Sequence, residues 1–415
     1  MSALRCSVVI PSHARPALLG RVLSALAAQT LSPAEFEVVV ALDGPSPESV
    51  TLMRELRDGG QLPHLRWIEQ PQRGQAAARN AGAAAARGTV LIFLDDDVVP
   101  EPDLVSVHLA HHERGAPVAV LGDSRFVRRP GSYYHLLSWA WWEDLFSERV
   151  VPGRPPVLHD FCAGNVSLRR ADFEASGGFD PAFTGYGGED YELGYRLLGR
   201  GVEFVPDRGA RAHHHHDATI AGVLRKTRQE AHGDLILVAK HPELHRTVRM
   251  SRPMRGPIVL VARAALQAPW LADPLVAIGA RLLGWLQAAS HRHLWLRGFK
   301  GLRTYAYWRG VRDALGSWDG LQRFRAAAPP RAHFEIDVGG GLPSELPDIP
   351  AAGADLVVTA NGRSLGTIVL DGPPRESVRA ALARAIAAEL GPRLAAALPP
   401  GERPWWLRPE APAHG

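Results

Sequence analysis

Unbroken apolar runs, not strict alternation, mark the first hundred residues. Ser7–Ile10, Phe36–Leu42 and Val90–Leu94 carry few polar interruptions, the pattern of strands buried on both faces of a helix-covered sheet. Leu65–Glu69 reads as another strand. Between these runs, Pro16–Gln29, Ser49–Arg57 and the alanine-rich Gln75–Ala86 place apolar residues at helical spacing. Helix Asp103–Glu113 and strand Val118–Leu121 continue the rhythm. Strand and helix in alternation predict a doubly wound α/β sheet, with its ligand edge outside the carboxyl ends of the strands.

The pattern then changes twice. From Asp160 to His216 the chain is glycine-rich and irregular, the composition of an active-site wall. It is interrupted by a helix at Tyr191–Gly199 and a strand at Val202–Val205. From Asp217 to Arg325 it is largely helical. Within that stretch, Pro257–Ala289 is strongly apolar but broken by Arg263, Asp273 and Arg281, too short a clean run for a bilayer. A buried helix pair is the favoured reading. The other is a helix lying in the bilayer interface, anchored by Trp270, Trp285 and flanking arginines. After Pro329-Pro330, strands at Ala332–Val338, Asp355–Thr359 and Gly366–Leu370, an Asn361-Gly362 hairpin and a helix at Glu376–Leu398 predict a small α+β module. The tail from Pro399 is expected to be loose. There are no internal repeats.

Composition narrows the function. The chain has 415 residues, 46% of them hydrophobic, and a net charge of +4. No dense basic block accompanies that charge, which argues against a nucleic-acid partner. Most of the basic residues are arginine, the side chain suited to phosphate and carboxylate. Two cysteines, Cys6 and Cys162, cannot make a disulfide framework and suit a reducing, cytoplasmic compartment. No long apolar segment precedes Cys6, so no secretory signal is expected.

Chemistry concentrates at five places. Strand Val8–Ile10 runs into the polar turn Pro11-Ser12-His13-Ala14-Arg15. Strand Val38–Leu42 ends at Asp43-Gly44, where a carboxylate can accept from a base or ribose or simply close an Asx turn. Arg73-Gly74 leads into Ala77-Ala78-Arg79-Asn80-Ala81-Gly82, whose small residues admit close approach and whose arginine offers a fork. Asp95-Asp96-Asp97 follows the apolar strand Val90–Leu94. Three like charges there favour a divalent cation shared with substrate phosphates. Finally Gly177-Gly178-Phe179-Asp180 and Gly185-Tyr186-Gly187-Gly188-Glu189-Asp190 bring an acidic pair to a helix start.

The order of these motifs resembles a family 2 glycosyltransferase of the GT-A fold over roughly residues 5–220, and the Glu189-Asp190 segment is similar to that of galactosyltransferases. The resemblance implies a GT-A type doubly wound mixed sheet, a nucleotide-sugar donor (UDP-linked), a glycan, lipid-linked or other hydroxyl acceptor, and Mn²⁺ or Mg²⁺. It implies that Pro11, His13 and Arg15 line the nucleotide pocket, that Asp43 holds the base, and that Arg79 contacts base or phosphate. Asp95 and Asp97 match the outer positions of a DxD motif that binds metal and ribose, with Asp96 between them at the donor. Asp190 would be the general base and Glu189 would hold acceptor or donor sugar. Residues 1–220 would form the catalytic domain, 221–328 a helical extension for acceptor or membrane-surface contact, and 331–398 an accessory module. Val98 after the triplet and His13 in the first turn depart from the common pattern and leave the nucleotide less defined.

Two further features bear on the site. In His213-His214-His215-His216, extended alternation puts His214 and His216 on the face of Ala210 and Ala212. Related enzymes place a metal-binding histidine nearby, so His214 is the expected ligand and His216 the second. Tyr133, Tyr134, Trp139, Trp141 and Trp142 cluster before Glu143 and can stack on sugar or fill a core. Trp141, Trp142, Tyr186, Gly187 and Gly188 are the expected acceptor residues. Two other classes compete: a nucleotidyltransferase, which needs a glycine-rich basic loop that Pro11–Pro16 lacks, and a non-catalytic binder, which would have lost Asp95, Asp97 or Asp190.

Overall fold

The computed structural model describes residues 4–397 except 114, 153, 155, 217–218, 253, 255, 351, 371, 373–376, 391–392 and 395–396. The expected loose tail from Pro399 lies outside the described residues. The chain divides into two compact units, one of Met1–Val151, Pro156–Ile236 and Arg255–Trp318, the other of Pro152–Pro155, Leu237–Met254 and Asp319–Gly415.

In the first unit the elements run β1 (Cys6–Ser12), α1 (Pro16–Ala27), β2 (Phe36–Asp43), α2 (Pro47–Asp58), β3 (Leu65–Gln70), α3 (Gln75–Ala85), β4 (Val90–Leu94), β5 (Val98–Pro100), α4 (Leu104–His112), β6 (Val118–Phe126), α5 (Tyr133–Arg149), β7 (Asn165–Arg169), α6 (Arg170–Ala175), α7 (Glu189–Gly199) and β8 (Glu203–His214). Helices α8 (Ile220–Lys240, to Ile236 in this unit), α9 (Pro257–Gln267), α10 (Pro269–Ala288) and α11 (Arg292–Leu315) follow, and α12 (Trp318–Ala326) belongs from Asp319 to the second unit. The eight strands form one mixed sheet in the order β3-β2-β1-β4-β7-β6-β8-β5. β1 pairs in parallel with β2 and β4, whereas β7 is antiparallel to both β4 and β6.

The apolar runs are doubly buried, as their composition demands. Along β1 and β4, Val8, Ile10, Ile92 and Leu94 face a layer with α1 residues Leu19, Val22 and Leu23. Their neighbours Val9, Leu91 and Phe93 face Ala76 and Ala83 of α3 and Leu193 and Leu197 of α7. Successive residues thus enter two cores. Gly82 of α3 allows this packing, since a Cβ there would lie 2.5 Å from Val9 Cγ1.

Two parts of the sequence reading need correction. The stretch from Asp160 is not wholly irregular: β7 lies in the middle of the sheet. Of the expected buried pair, α9 does bury Ala262, Ala265 and Leu266, but α10 does not fit the reading. Six large apolar side chains of α10 face outwards, and no helix among the described residues is long and apolar enough to cross a membrane.

The second unit holds a three-stranded sheet in the order β11-β10-β9, made of β9 (Ala332–Asp337), β10 (Ala354–Ala360) and β11 (Arg363–Leu370). Asn361, at φ +50°, and Gly362, at φ +74°, form the expected hairpin turn. Helix α13 (Val378–Ala385) contributes Leu382 to the core with Leu356, Val358 and Ile368.

Candidate active site

The acidic triplet occupies the turn between β4 and β5, and each carboxylate meets a different neighbour. Asp96 is wholly buried; Ser12 Oγ donates to its Oδ2 at 2.6 Å, and Arg15 pairs with Oδ1. Burial, only partly offset by Arg15, pushes its pKa up to about 7. Arg15 Nη1 also reaches Asp97 Oδ2 at 2.7 Å. Burial raises the Asp97 pKa, but His214 and Arg15 outweigh it and hold the carboxyl well below its usual range. Asp95 stays partly exposed and accepts from Gln75 Nε2 and Arg79 Nη2, each at 3.0 Å.

Arg79 ties the triplet to the distant acidic pair. Its guanidinium is only 2% exposed. Nη1 lies 3.1 Å from Asp190 Oδ1 and 3.5 Å from Glu189 Oε1, and the group sits over the Phe179 ring at 5.2 Å. One buried cation therefore serves three carboxylates, and its fork, expected at a base or phosphate, is occupied by Asp95, Glu189 and Asp190. Asp190 Oδ2 accepts from the Ala163 N–H at 3.0 Å. Burial raises the Asp190 pKa against the pull of Arg79. Burial and the neighbouring Asp190 lift Glu189 to about 7. Both acids open α7, where the helix dipole favours negative charge, and the left-handed Gly188 (φ +100°) precedes them.

Asp43 closes a loop. Its carboxylate accepts from Gln70 Nε2 at 2.8 Å and from the backbone N–H groups of Arg73 at 2.7 Å and Gly74 at 2.9 Å. This loop delivers Gln75 and Arg79 to the triplet. Gly74 (φ +94°) allows the loop to pass Thr184, since a Cβ there would lie 2.6 Å from the Thr184 carbonyl oxygen. His13 Nδ1 contacts the Asp43 carbonyl oxygen at 2.5 Å. Pro11 is a buried residue of β1, and Ala14 between His13 and Arg15 holds φ +48°, a strained value for a residue with a Cβ.

The histidine run behaves as its alternation predicts. Ala210 and Ala212 of β8 are buried, His213 turns away to Glu101 at 2.9 Å, and His214 and His216 converge with Asp97. The ligating atoms of Asp97, His214 and His216 all lie within 4.8 Å of one another. One carboxylate and two imidazoles in that space form a donor set that fits a divalent cation. Burial, with His214 alongside, pushes the His216 pKa down to about 3, so its ring is neutral and able to ligate. The triad includes His216 rather than Asp95.

The expected acceptor residues divide. Trp142 is 6% exposed and donates from Nε1 to Asp123 Oδ1 at 2.8 Å, so it belongs to the core and is corrected as a ligand contact. Trp141 is 53% exposed and lies 6.3 Å from the Phe126 ring, which stacks on His214 at 4.4 Å. Tyr186 and Gly187 line a cleft of about 410 Å³ together with Arg225, Arg228, His232 and Asp313. Gly188 packs against α8 at Gly233. Sequence reasoning missed Lys226 of α8. Its ammonium sits over the Tyr186 ring at 4.6 Å; burial lowers its pKa, and Asp97 and Asp95 work against that shift. A single lysine in a helix carries no sequence signal for this position.

Residues 7–177 match the model of glycosyl transferase family 2, and residues 154–217 match the N-terminal domain of galactosyltransferase. Over these residues the chain is similar to glycosyl transferase family 2. Among curated relatives, it is 35% identical over 272 residues to validoxylamine A glucosyltransferase of Streptomyces hygroscopicus subsp. limoneus, covering 57% of each chain. It is 27% identical over 238 residues to chondroitin synthase of Escherichia coli, covering 50% of this chain and 34% of that one. The match thus spans 57% of the length of the first of these relatives and 34% of the second. A solved structure, the mannosyltransferase of Pyrobaculum calidifontis with GDP-Man and Mn²⁺, superposes with a TM-score of 0.48 at 17% identity, covering 77% of this chain and 88% of that one.

Proposed function

We propose that this protein is a family 2 enzyme, that it transfers a sugar, with inversion, from a UDP-sugar to a hydroxyl of a glycan, lipid-linked or other acceptor, and that it requires a divalent cation. The observation that carries the reading is the shared cation Arg79, which holds Asp95 of the triplet and Asp190 of α7 in one site. In an inverting transfer the acceptor oxygen attacks the anomeric carbon, the bond to the diphosphate oxygen breaks, and the acceptor proton passes to a carboxylate. Asp190 is that carboxylate: Arg79 and the Ala163 N–H keep it oriented and favour its ionised form. Glu189 positions a sugar hydroxyl. His13, Arg15 and the loop closed by Asp43 receive the nucleotide, and Asp95 completes the donor side, while the buried Asp96, expected there, instead holds Ser12 and Arg15 from behind. Lys226 stands where an ammonium can meet phosphate. The acceptor approaches through the cleft at Tyr186 and Gly187, and the exposed Trp141 beside Phe126 offers it an aromatic face.

Asp97, His214 and His216 would hold the cation. Bound there, it supplies positive charge to the leaving diphosphate. Two nitrogen ligands of three favour Mn²⁺ over Mg²⁺, which prefers oxygen. The validoxylamine A glucosyltransferase relative makes UDP-glucose the first donor to try.

The test is slow UDP release from a panel of nucleotide-sugars with Mn²⁺, with Mg²⁺ and with chelator. We expect release with one UDP-sugar, faster with Mn²⁺ and lost on chelation, and Mn²⁺-dependent UDP affinity weakened in Asp97→Ala. Equal UDP affinity with and without Mn²⁺ removes the metal role. Pyrophosphate release from a nucleoside triphosphate and a sugar phosphate would instead identify a nucleotidyltransferase.

A further inference from the structure

The face of α10 that the described residues leave exposed has a definite chemistry. Trp270, Leu271, Leu275, Ile278, Leu282 and Trp285 are each 51–76% exposed. At 100° per residue they fall within an arc of about 140° on one side of the helix. The opposite side is engaged: Leu283 is buried with Trp295 and Phe299, and Gly279 and Gly298 let α10 and α11 approach closely. Leu260 on α9 and Leu294 on α11 are likewise exposed. Exposed large apolar groups scattered singly are ordinary, but a contiguous stripe marks an interaction surface.

The charge around the stripe selects its partner. Residues 257–315 contain eight Lys or Arg and two acids, Asp273 and Asp313. Both acids are already paired, Asp273 with Tyr305 and Arg309, and Asp313 with Arg228 and Arg309. Arg281 lies at the edge of the apolar arc. A tryptophan stands near each end of the stripe, roughly 22 Å apart along the axis at the helical rise. Apolar centre, indole ends, Arg281 beside the stripe and a net positive surrounding segment together describe a helix that lies in a bilayer interface and meets anionic headgroups. A protein partner or a second copy accounts for the apolar area but gives no reason for the unpaired positive excess.

We propose that α10, supported by α9 and α11, docks this protein on the surface of an anionic lipid bilayer without crossing it. The experiment is co-sedimentation of the full chain with vesicles of phosphatidylcholine mixed with phosphatidylglycerol, against phosphatidylcholine alone. We expect binding to the anionic vesicles that weakens as salt is raised. In the triple variant Leu275→Asn, Ile278→Asn, Leu282→Asn, binding should fall by about ten-fold or more. These side chains are exposed, so the variant's thermal midpoint should match wild type. Sedimentation velocity without lipid, run over a range of concentrations, reports whether a second copy covers the face. Three results would overturn the proposal: no binding to anionic vesicles, binding that the folded triple variant retains, or a lipid-free dimer that the triple variant abolishes. The vesicle readout is independent of sugar transfer, so its outcome stands apart from that of the proposed reaction.

Discussion

At the scale of the residue, Arg79 decides what the site is. Three carboxylates from two distant segments meet one guanidinium that is shut away from water. A buried charge with its partner removed is costly, and Arg79 pulls against the burial that raises the Glu189 and Asp190 carboxyls. Asp190 is the member with the backbone donor, Ala163, on its second oxygen. That leaves it oriented rather than merely neutralised, which is what a proton acceptor requires. Replacing Asp190 by Asn keeps the shape and one accepting oxygen, turns the other into an amide donor facing Arg79 or the Ala163 N–H, and removes the basic carboxylate. We expect UDP affinity within about threefold of wild type and transfer reduced by roughly 10²–10⁴-fold, the range of a general base. Calorimetry and UDP release measure the two quantities separately, and a variant with most of its turnover removes Asp190 from the role.

At the scale of the element, helix α8 shapes the proposed acceptor side. Its Gly233 lies so close to the glycine loop that a Cβ would stand 2.0 Å from the Gly187 carbonyl oxygen, and Gly310 of α11 stands equally close to the Arg228 carbonyl of α8. Gly187 and Gly188 both hold positive φ immediately before Glu189 and Asp190. Gly233→Ala must push that loop, so overpacking should cost about 1–3 kcal/mol of stability. Acceptor-dependent kcat/KM should drop while UDP affinity holds, because the triplet and the histidines stand on other elements. Denaturant unfolding and steady-state kinetics with a fixed donor would show the split; an unaltered KM for acceptor would detach the glycine loop from acceptor binding. The same elements show what was legible in the sequence. Strands β1, β2 and β4 announced themselves because both faces are buried. His214 and His216 were readable because β8 stays extended up to His214, and the alternation carries on to His216. Strand β7 was hidden because Asn165 and Ser167 are buried polar residues that interrupt its apolar run. Arg79 looked free because its three partners lie 16, 110 and 111 residues away, a convergence that only the folded sheet creates. Helix α10 showed its helical spacing clearly, but spacing gives the width of an apolar face and not what covers it.

At the scale of the molecule, acid sensitivity follows from a neutral relay across the sheet. His108 of α4 contacts Ser167 Oγ through Nδ1 and Asn165 Oδ1 through Nε2, each at 2.9 Å, and His112 Nε2 meets the same Ser167 oxygen at 2.8 Å. Asn165 Nδ2 in turn donates to the Ala210 carbonyl at 2.9 Å. Asn165 Oδ1 can only accept, so His108 Nε2 carries the proton and Nδ1 accepts from the serine hydroxyl. Protonating Nδ1 would place a charge in a wholly buried site and oblige the serine hydroxyl to turn away. Burial accordingly pushes both histidines down to about 4 from 6.5. A histidine with a lowered folded pKa stabilises the fold fully above its unfolded value, and that stability drains away as pH falls from 6.5 towards 4, where the unfolded chain binds more protons. Asp96 and Glu189, each lifted to about 7, act in the opposite sense: their contribution is present at low pH and is lost as pH rises through 7. The whole-protein profile therefore mixes both signs, and the histidine share is exposed by difference. His108→Gln keeps a donor and an acceptor but cannot titrate. Between pH 7 and pH 5 wild type should lose about 2 kcal/mol more unfolding free energy than this variant, the value for one histidine shifted over that window. Urea unfolding of both proteins at the two pH values checks this, and parallel losses would mean that His108 titrates as freely in the folded protein as in the unfolded one.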